Sequence, residues 1–259
     1  MPKSNFLFNP AVYLALAIYI ALTYPVLALG NKVLAAAIPE DHYFEIVGAT
    51  SLFVTSLLFF YGFRLARKTL DRTWTSLAKQ FVYLGLALLF FFCAGEEISW
   101  GQRMLGFQTP QTMSQVNRQE EFNLHNLSAW EASQLLDPDR MFDMFWFLFA
   151  VFIPAVALLL PSFRSFANRF MPIVFWGIGL LFLYNYLWAK FAKILFAAVY
   201  SFERVPLPQA IQEIKESNYA IIFILVGLYA IWDLRRSNHE SHVPAKRGSA
   251  QTKPAFHNQ

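Results

Sequence analysis

The fold of this chain is decided by residues 81–103, which read FVYLGLALLFFFCAGEEISWGQR. The first part of this stretch, Phe81 to Ala94, is apolar, and two acids follow directly, Glu96 and Glu97. Ionised side chains at the end of an apolar run are expensive inside a membrane and are usually functional there. We therefore interpret the run as a membrane-spanning helix and the acids as the beginning of a site.

The composition supports a membrane protein. The chain has 259 residues, of which 56% are hydrophobic, 18% aromatic and only 15% charged, a poor charge content for a soluble domain. The single cysteine, Cys93, lies inside the apolar run, which excludes an internal disulfide and a cysteine-based zinc cluster. The net charge of +4 comes from basic residues scattered between apolar spans, a pattern that sets topology and does not indicate nucleic-acid binding.

Six apolar stretches are long enough, or nearly so, to cross about 30 Å of hydrocarbon as helices. They are residues 10–30, 44–63, 80–100, 141–160, 171–190 and 218–233, the last being the shortest. We expect an all-α polytopic membrane helical bundle, with residues 1–236 as a single transmembrane domain. Residues 237–259 are polar and have no apolar periodicity, which predicts a disordered cytoplasmic tail.

The basic residues predict the orientation of the bundle. Loops 64–79 and 161–170 and the C-terminal tail carry most of the lysines and arginines, and with six spans all three lie on one side. By the positive-inside rule that side is cytoplasmic, so both termini are inside (N-in/C-in). Only three of the 17 acids, Asp71, Asp233 and Glu240, fall there. We predict a multi-pass protein of the bacterial inner (plasma) membrane with an acidic outer face and a retained N-terminal signal anchor.

The first polar stretch yields five candidate site residues. If the third helix continues to Arg103, its period stacks Glu96, Trp100 and Arg103 on one face, with Glu97 about 100° away. A carboxylate at that depth is paired, protonated or bound to metal. We assign catalytic roles to the two acids and Arg103, and substrate contacts to Trp100 and Gln102. The alternative is an arginine–glutamate pair that only fixes the depth of the helix.

The second polar stretch, residues 117–126, reads NRQEEFNLHN. In a helix, Asn117, Glu121 and His125 recur every fourth residue and form a polar stripe able to hold a metal or relay protons. Apolar residues on the other side favour an interfacial or re-entrant helix between the third and fourth spans. We assign Glu121 and His125 to the catalytic site and Asn117 and Asn126 to substrate contacts. An ordinary solvated loop helix is the alternative.

These two stretches carry a resemblance. The segments Gly95–Arg103 (GEEISWGQR) and Asn123–Asn126 (NLHN) are similar to a family of uncharacterised bacterial multi-pass membrane proteins, which implies no established activity. The adjacent glutamates also resemble the first motif of the membrane-embedded CAAX-type proteases. The spacing to Arg103 and to His125 differs from that family, so its catalytic roles are not carried over.

The leading hypothesis is a membrane-embedded hydrolase or transferase that acts on a lipid or lipid-linked substrate at the outer face. Glu96 or Glu97 is then the general base or a metal ligand, Glu121 and His125 complete the site, and Arg103 positions an anionic head group. The cofactor is unknown. A divalent metal is one candidate, and Glu96, Glu121 and His125 are its predicted ligands.

Two other classes of function stay open. A proton-coupled transporter or carrier would titrate the same acids, although no inverted repeat is visible and the polar groups cluster at one face. A non-catalytic membrane scaffold would use the motif to dock a partner. The substitutions Glu96→Gln and His125→Asn distinguish an enzyme from a scaffold. They should abolish the activity of an enzyme and leave the partner binding of a scaffold largely intact. The expected partners are membrane lipids, and the sequence fixes neither the substrate nor the oligomeric state.

Overall fold

The computed structural model describes residues 6–39, 42–117, 120–124, 127–130 and 137–242. This part of the chain is all-helical apart from one isolated β-bridge, and six of its helices are long and apolar enough to cross a membrane. They are α1 (Pro10–Ala28), α2 (Tyr43–Thr69), α3 (Trp74–Glu97), α4 (Pro138–Leu159), α5 (Trp176–Leu195) and α6 (Leu207–His242, apolar as far as Ser237). The prediction of an all-α fold with six helices long and apolar enough to span a membrane is therefore confirmed.

Three of the spans begin at a side-chain cap, which satisfies a backbone N–H that the helix leaves without an internal partner. The Asn9 side chain accepts a hydrogen bond from the Ala11 amide at 3.0 Å, and α1 has Pro10 at its first position. Asp137 caps α4 in the same way and is also followed by a proline. Thr73 caps α3 through its hydroxyl. Proline fits the first turn because its missing N–H costs nothing there.

The sixth helix is the centre of the bundle. Helices α2 and α5 pack against α6, α3 packs against α2, and α1 and α4 pack against α5. Gly227 permits the close approach of α6 to α2, because a Cβ at this position would lie 2.9 Å from the Cβ of Leu58. On its other side, the ring of Phe223 lies 4.7 Å from Phe90 and 4.8 Å from Phe182. An aromatic core thus joins α3, α5 and α6.

The prediction that the sixth span is the shortest is wrong, since α6 has the longest apolar segment of the six, Leu207–Ser237. Its polar residues between positions 212 and 218 lower the local hydropathy. For this reason the hydropathy pattern predicts that the span begins at residue 218 instead of at Leu207. In the structure Lys215, Ser217 and Asn218 are buried among the other helices. Helix α6 also continues to His242, so the first residues of the predicted tail are helical, and residues 243–259 lie outside the described part.

Two contacts, one at each end of the bundle, join segments that are distant in the sequence. At one end the Lys79 ammonium donates to the carbonyl of Asn168 at 2.9 Å, which joins the start of α3 to the loop after α4. At the other end the Ser201 hydroxyl donates to Asn31 at 3.3 Å, joining the loops after α5 and α1. The basic loops share the first end, and the segment that follows Glu97 lies at the opposite one.

Candidate functional site

The third span stops at Glu97 because the backbone turns left-handed immediately afterwards. Ser99 and Trp100 have φ of 44° and 54°, and Gly101 has φ of 74°. A separate helix, Gln102–Leu105, begins beyond this kink. The third helix therefore does not continue to Arg103, so the condition for stacking Glu96, Trp100 and Arg103 on one helical face is not met. Left-handed backbone at two residues other than glycine is unfavourable by about 1–3 kcal/mol each, so surrounding contacts must hold it in place.

The Trp100 side chain supplies one of those contacts. Its indole N–H donates to Oε1 of Glu96 at 2.7 Å. The ring lies over Gly95, where a Cβ would be 2.9 Å from the nearest ring carbons. Glu96 and Trp100 thus meet as the helical period predicts, although a tight turn brings them together instead of a continuous helix.

The second polar stretch is a loop. Between α3 and α4 the described residues form no helix longer than four residues, and residues 120–124 are not helical, so the predicted interfacial helix through Asn117 and Glu121 is wrong. Asn117 organises the loop: its amide group donates to Oδ1 of Asn123 at 2.8 Å, and its Oδ1 accepts from the Glu121 amide at 3.2 Å. A β-bridge between Asn117 and Leu127 closes the loop at its base.

Side chains of the first stretch hold the backbone of the second. Oε2 of Glu96 accepts a hydrogen bond from the Leu124 amide at 2.6 Å, and Oε1 of Gln102 accepts one from the Phe122 amide at 2.7 Å. Gln102 is itself oriented by a 2.7 Å hydrogen bond to the Thr109 hydroxyl. Because buried backbone N–H groups need partners, these contacts fix the 120–124 segment against the end of α3.

The carboxylate of Glu121 lies at the centre of the arrangement. Its Oε2 accepts from the Ser99 hydroxyl at 2.5 Å and from the Asn123 amide group at 2.9 Å, and Oε1 forms an ion pair with Arg103. The Asn123 amide group also lies 3.0 Å from the Ser99 oxygen. Ser99, Glu121 and Asn123 are buried, whereas the Arg103 side chain is 42% exposed. A buried carboxylate is tolerated when charge and donors surround it in this way.

Three further predicted residues are Glu97, His125 and Asn126. Glu97 is half-buried and lies within electrostatic range of Glu216 on α6, as does Asp139 at the start of α4. His125 and Asn126 lie outside the described residues, so their predicted roles stay predictions.

A metal site was predicted on Glu96, Glu121 and His125. Within the described ranges, no group of three or more histidines, cysteines or acids is arranged to hold a metal ion. Both oxygens of Glu96 and both oxygens of Glu121 accept hydrogen bonds from N–H or O–H donors, one of them a guanidinium. These donors stabilise the ionised form of both carboxylates.

Sequence reasoning missed Ser99 and Asn123. Both lie inside the two polar stretches, and only their positions could have indicated them. Ser99 is two residues after Glu97, and Asn123 is two residues after Glu121. Neither residue type is unusual in a loop, and only the tertiary contact between the stretches shows that they share a carboxylate.

A second polar network lies inside the bundle. Asn185, the buried asparagine of α5, accepts from the Tyr24 hydroxyl at 2.8 Å and from the Asn218 amide group at 3.1 Å, and it donates to the Lys215 carbonyl at 2.9 Å. Asn185 thus joins α5 to both α1 and α6. Polar contacts of this kind hold membrane helices together.

Next to this network, the buried ammonium group of Lys215 lies 3.3 Å from a carboxylate oxygen of Asp143 on α4. The indole N–H of Trp146 donates to the same oxygen at 2.9 Å. The pair links α4 to α6 at the end of the bundle that carries the Glu121 cluster. Ionisable residues inside a membrane bundle are rare and are usually paired in this manner.

Comparisons with models of known families, with curated proteins and with solved structures gave no match to this chain. The fold defines a class, the multi-pass helical membrane proteins, and the function must be argued from the Glu121 cluster itself.

Proposed function

We propose that this protein is a membrane-embedded hydrolase or transferase that acts on a lipid or lipid-linked substrate at the outer face of a bacterial inner membrane. One observation carries the proposal: the buried Ser99 hydroxyl donates to the Glu121 carboxylate at 2.5 Å, while Arg103 holds the other oxygen of that carboxylate. A hydroxyl and a base within hydrogen-bonding distance, with a third group orienting the base, form the arrangement used in nucleophilic catalysis.

The reaction that this geometry supports is acyl or phosphoryl transfer through Ser99. The serine oxygen forms a bond to the electrophilic carbon or phosphorus of an ester, and its proton passes to Glu121. The same proton then protonates the departing alcohol as the ester bond breaks. Water or a second alcohol repeats the exchange in reverse and releases Ser99. Arg103 positions Glu121, and the exposed part of its side chain can also contact an anionic head group.

The strained backbone supports this assignment. Non-glycine residues in left-handed conformations are concentrated at active sites, where surrounding contacts hold them. Ser99 and Trp100 are both of this kind. Ser99 is only 4% exposed, so substrate reaches it when the 120–124 segment moves aside. In this scheme Glu96 and Gln102, which hold that segment through backbone amides, set the closed position and do not react.

The test uses a fluorophosphonate, which forms a covalent bond with an activated serine. In protein reconstituted into nanodiscs, mass spectrometry should find the adduct on Ser99, and Ser99→Ala should remove it. Glu121→Gln should slow labelling by about a hundredfold, the usual contribution of a general base. The matched control is Ser128→Ala, because Ser128 lies in the same loop, is exposed, and donates to the Val116 carbonyl instead of to a carboxylate.

A folded wild type that carries no adduct on Ser99 would refute the proposal. In parallel, lipid extract from bacteria is incubated with the wild type and with Ser99→Ala. The class of lipid that is consumed only by the wild type then identifies the substrate.

The orientation belongs to the same proposal. The basic loops at one end of the bundle support a cytoplasmic position for that end, and the Glu121 cluster at the other end is then outside. A reporter inserted next to Gln111 should be extracytoplasmic. A cytoplasmic signal from that reporter would reverse the orientation.

A second candidate function, a proton-coupled carrier, is favoured by the interior network. Asn185 lies near the middle of α5, and the Lys215–Asp143 pair lies between it and the end of the bundle. Carriers place polar groups near the middle of the membrane. Proteoliposomes loaded with a pH-sensitive dye distinguish the two candidates, because a carrier acidifies the lumen in a manner that depends on Asp143 but not on Ser99.

A further inference from the structure

The helix Gln102–Leu105 presents two large apolar side chains outside the membrane-spanning segments. Met104 and Leu105 are each 76% exposed. Both pack back toward Gly101, since a Cβ there would lie 3.6 Å from Cε of Met104 and 3.8 Å from Cδ1 of Leu105. Gly101 and Gly106, with φ of 74° and 67°, turn the chain into and out of this helix. The exposed pair is therefore held by defined backbone geometry.

This apolar helix closely follows Trp100 along the chain, and Trp100 packs on the outer face of α3. The Trp100 ring contacts Phe92 and Phe91, with ring centroids 5.6 and 6.3 Å apart. Both phenylalanines are exposed on the outside of α3, where a membrane-spanning helix meets lipid. Phe107, just beyond the short helix, is also partly exposed and contacts Phe122 at 5.6 Å.

We infer that Met104, Leu105 and Phe107, which we name the 104–107 surface, insert into the lipid leaflet at this end of the bundle, where acyl chains cover them. The transfer of apolar side chains from water to acyl chains is favourable. A short helix can insert two or three such side chains without a long amphipathic face. The indole of Trp100 suits the boundary between head groups and chains. Arg103 carries its charge on a long apolar stem, so its guanidinium stays at the polar level beside Glu121.

Continuity with α3 favours lipid over a protein partner. The surface begins where the lipid-facing side of α3 ends, and no gap in the chain separates the two. The inference goes beyond the proposed catalysis, because the 104–107 surface contacts lipid whether or not Ser99 reacts. With the proposed function, it also keeps lipid substrate beside the Glu121 cluster.

The test uses single cysteines in a Cys93→Ala background, which removes the only native thiol. Met104→Cys and Leu105→Cys carry an environment-sensitive nitrobenzoxadiazole label in phosphatidylcholine nanodiscs, and Phe107→Cys is the reserve position should either variant not fold. Gln115→Cys is the matched control, since Gln115 is an exposed polar residue of the same loop. Fluorescence is quenched in turn by a nitroxide on the lipid acyl chain and by iodide in water.

The measured quantity is the ratio of quenching by the acyl-chain nitroxide to quenching by iodide. This ratio should be at least about three times higher at positions 104 and 105 than at position 115, because the labels at 104 and 105 lie among the acyl chains. Iodide quenching equal to that of the control would show a loop in water and overturn the inference. Protection from both quenchers would show that protein covers the surface, which also overturns it. Neither readout requires enzymatic activity, so loss of the catalytic proposal leaves this result unaffected.

Discussion

Replacing Glu96 by glutamine should loosen the 120–124 segment. The two carboxylate oxygens of Glu96 accept hydrogen bonds from the Trp100 indole and from the Leu124 amide, at 2.7 and 2.6 Å. The glutamine side chain has almost the same shape but offers only one oxygen. Its amino group must therefore face one of the two N–H donors, so one bond is lost and the other no longer involves a charge.

The size of the effect follows from these two contacts. A hydrogen bond to a charged group contributes about 1.5–3 kcal/mol. Glu96 is 5% exposed, so water does not readily replace the missing partner. If this loss acts on the local opening of the segment, the opening equilibrium rises roughly tenfold to a hundredfold, since about 1.4 kcal/mol corresponds to a factor of ten.

Amide hydrogen exchange measures this opening directly. Peptides that cover residues 120–124 should exchange faster in Glu96→Gln by that factor, with the largest effect at the Leu124 amide. Glu97→Gln is the matched control: the same substitution on the next residue, whose charge interacts with Glu216 instead. Exchange in this segment that is equal in the wild type and in Glu96→Gln would refute the argument that Glu96 holds the loop.

Two further substitutions test the packing. Gly95→Ala should destabilise the protein by about 1–3 kcal/mol, because the new Cβ meets the Trp100 ring at 2.9 Å, whereas Gly85→Ala on the same helix meets nothing within 4 Å and should be neutral or slightly stabilising. Equal thermal midpoints for the two variants in detergent would contradict this. Asn185→Leu removes three hydrogen bonds to α1 and α6 and should lower the midpoint by roughly 5 °C, while Leu180→Ala on the exposed side of α5 should change it little. A midpoint in Asn185→Leu as high as that of Leu180→Ala would contradict a role for the network in stability.

The spans could be predicted because membrane insertion depends on hydropathy, which is summed over consecutive residues of the chain. An apolar run near 20 residues must form a helix that satisfies its own backbone hydrogen bonds. The largest error concerns α6, where Lys215 and Asn218 lower the average hydropathy. Whether a polar residue in a span is paired depends on neighbouring helices, and Asp143 and Asn185, which lie far away in sequence, supply those partners.

For the candidate site, the sequence singled out two polar stretches but did not predict the geometry that joins them. In the structure, hydrogen bonds and an ion pair join residues of both stretches, among them Glu96, Gln102, Arg103 and Glu121. The helical periods assigned to both stretches were wrong. Glycine favours left-handed backbone, so the residue type of Gly101 indicates the kink. The left-handed backbone of Ser99 and Trp100 depends instead on contacts that no local pattern encodes.

The sequence by itself thus determined that this chain has six segments apolar enough to cross a membrane and that its unusual acids lie at the end of the third, because hydropathy and charge are properties of the residues themselves. Only the tertiary structure decided that Ser99 and Glu121, separated by 22 positions, share a hydrogen bond, and that Asn123 completes their contact. The physical reason is that a buried carboxylate must be matched by donors in three dimensions. Those donors come from a loop whose shape is set by hydrogen bonds between the two stretches.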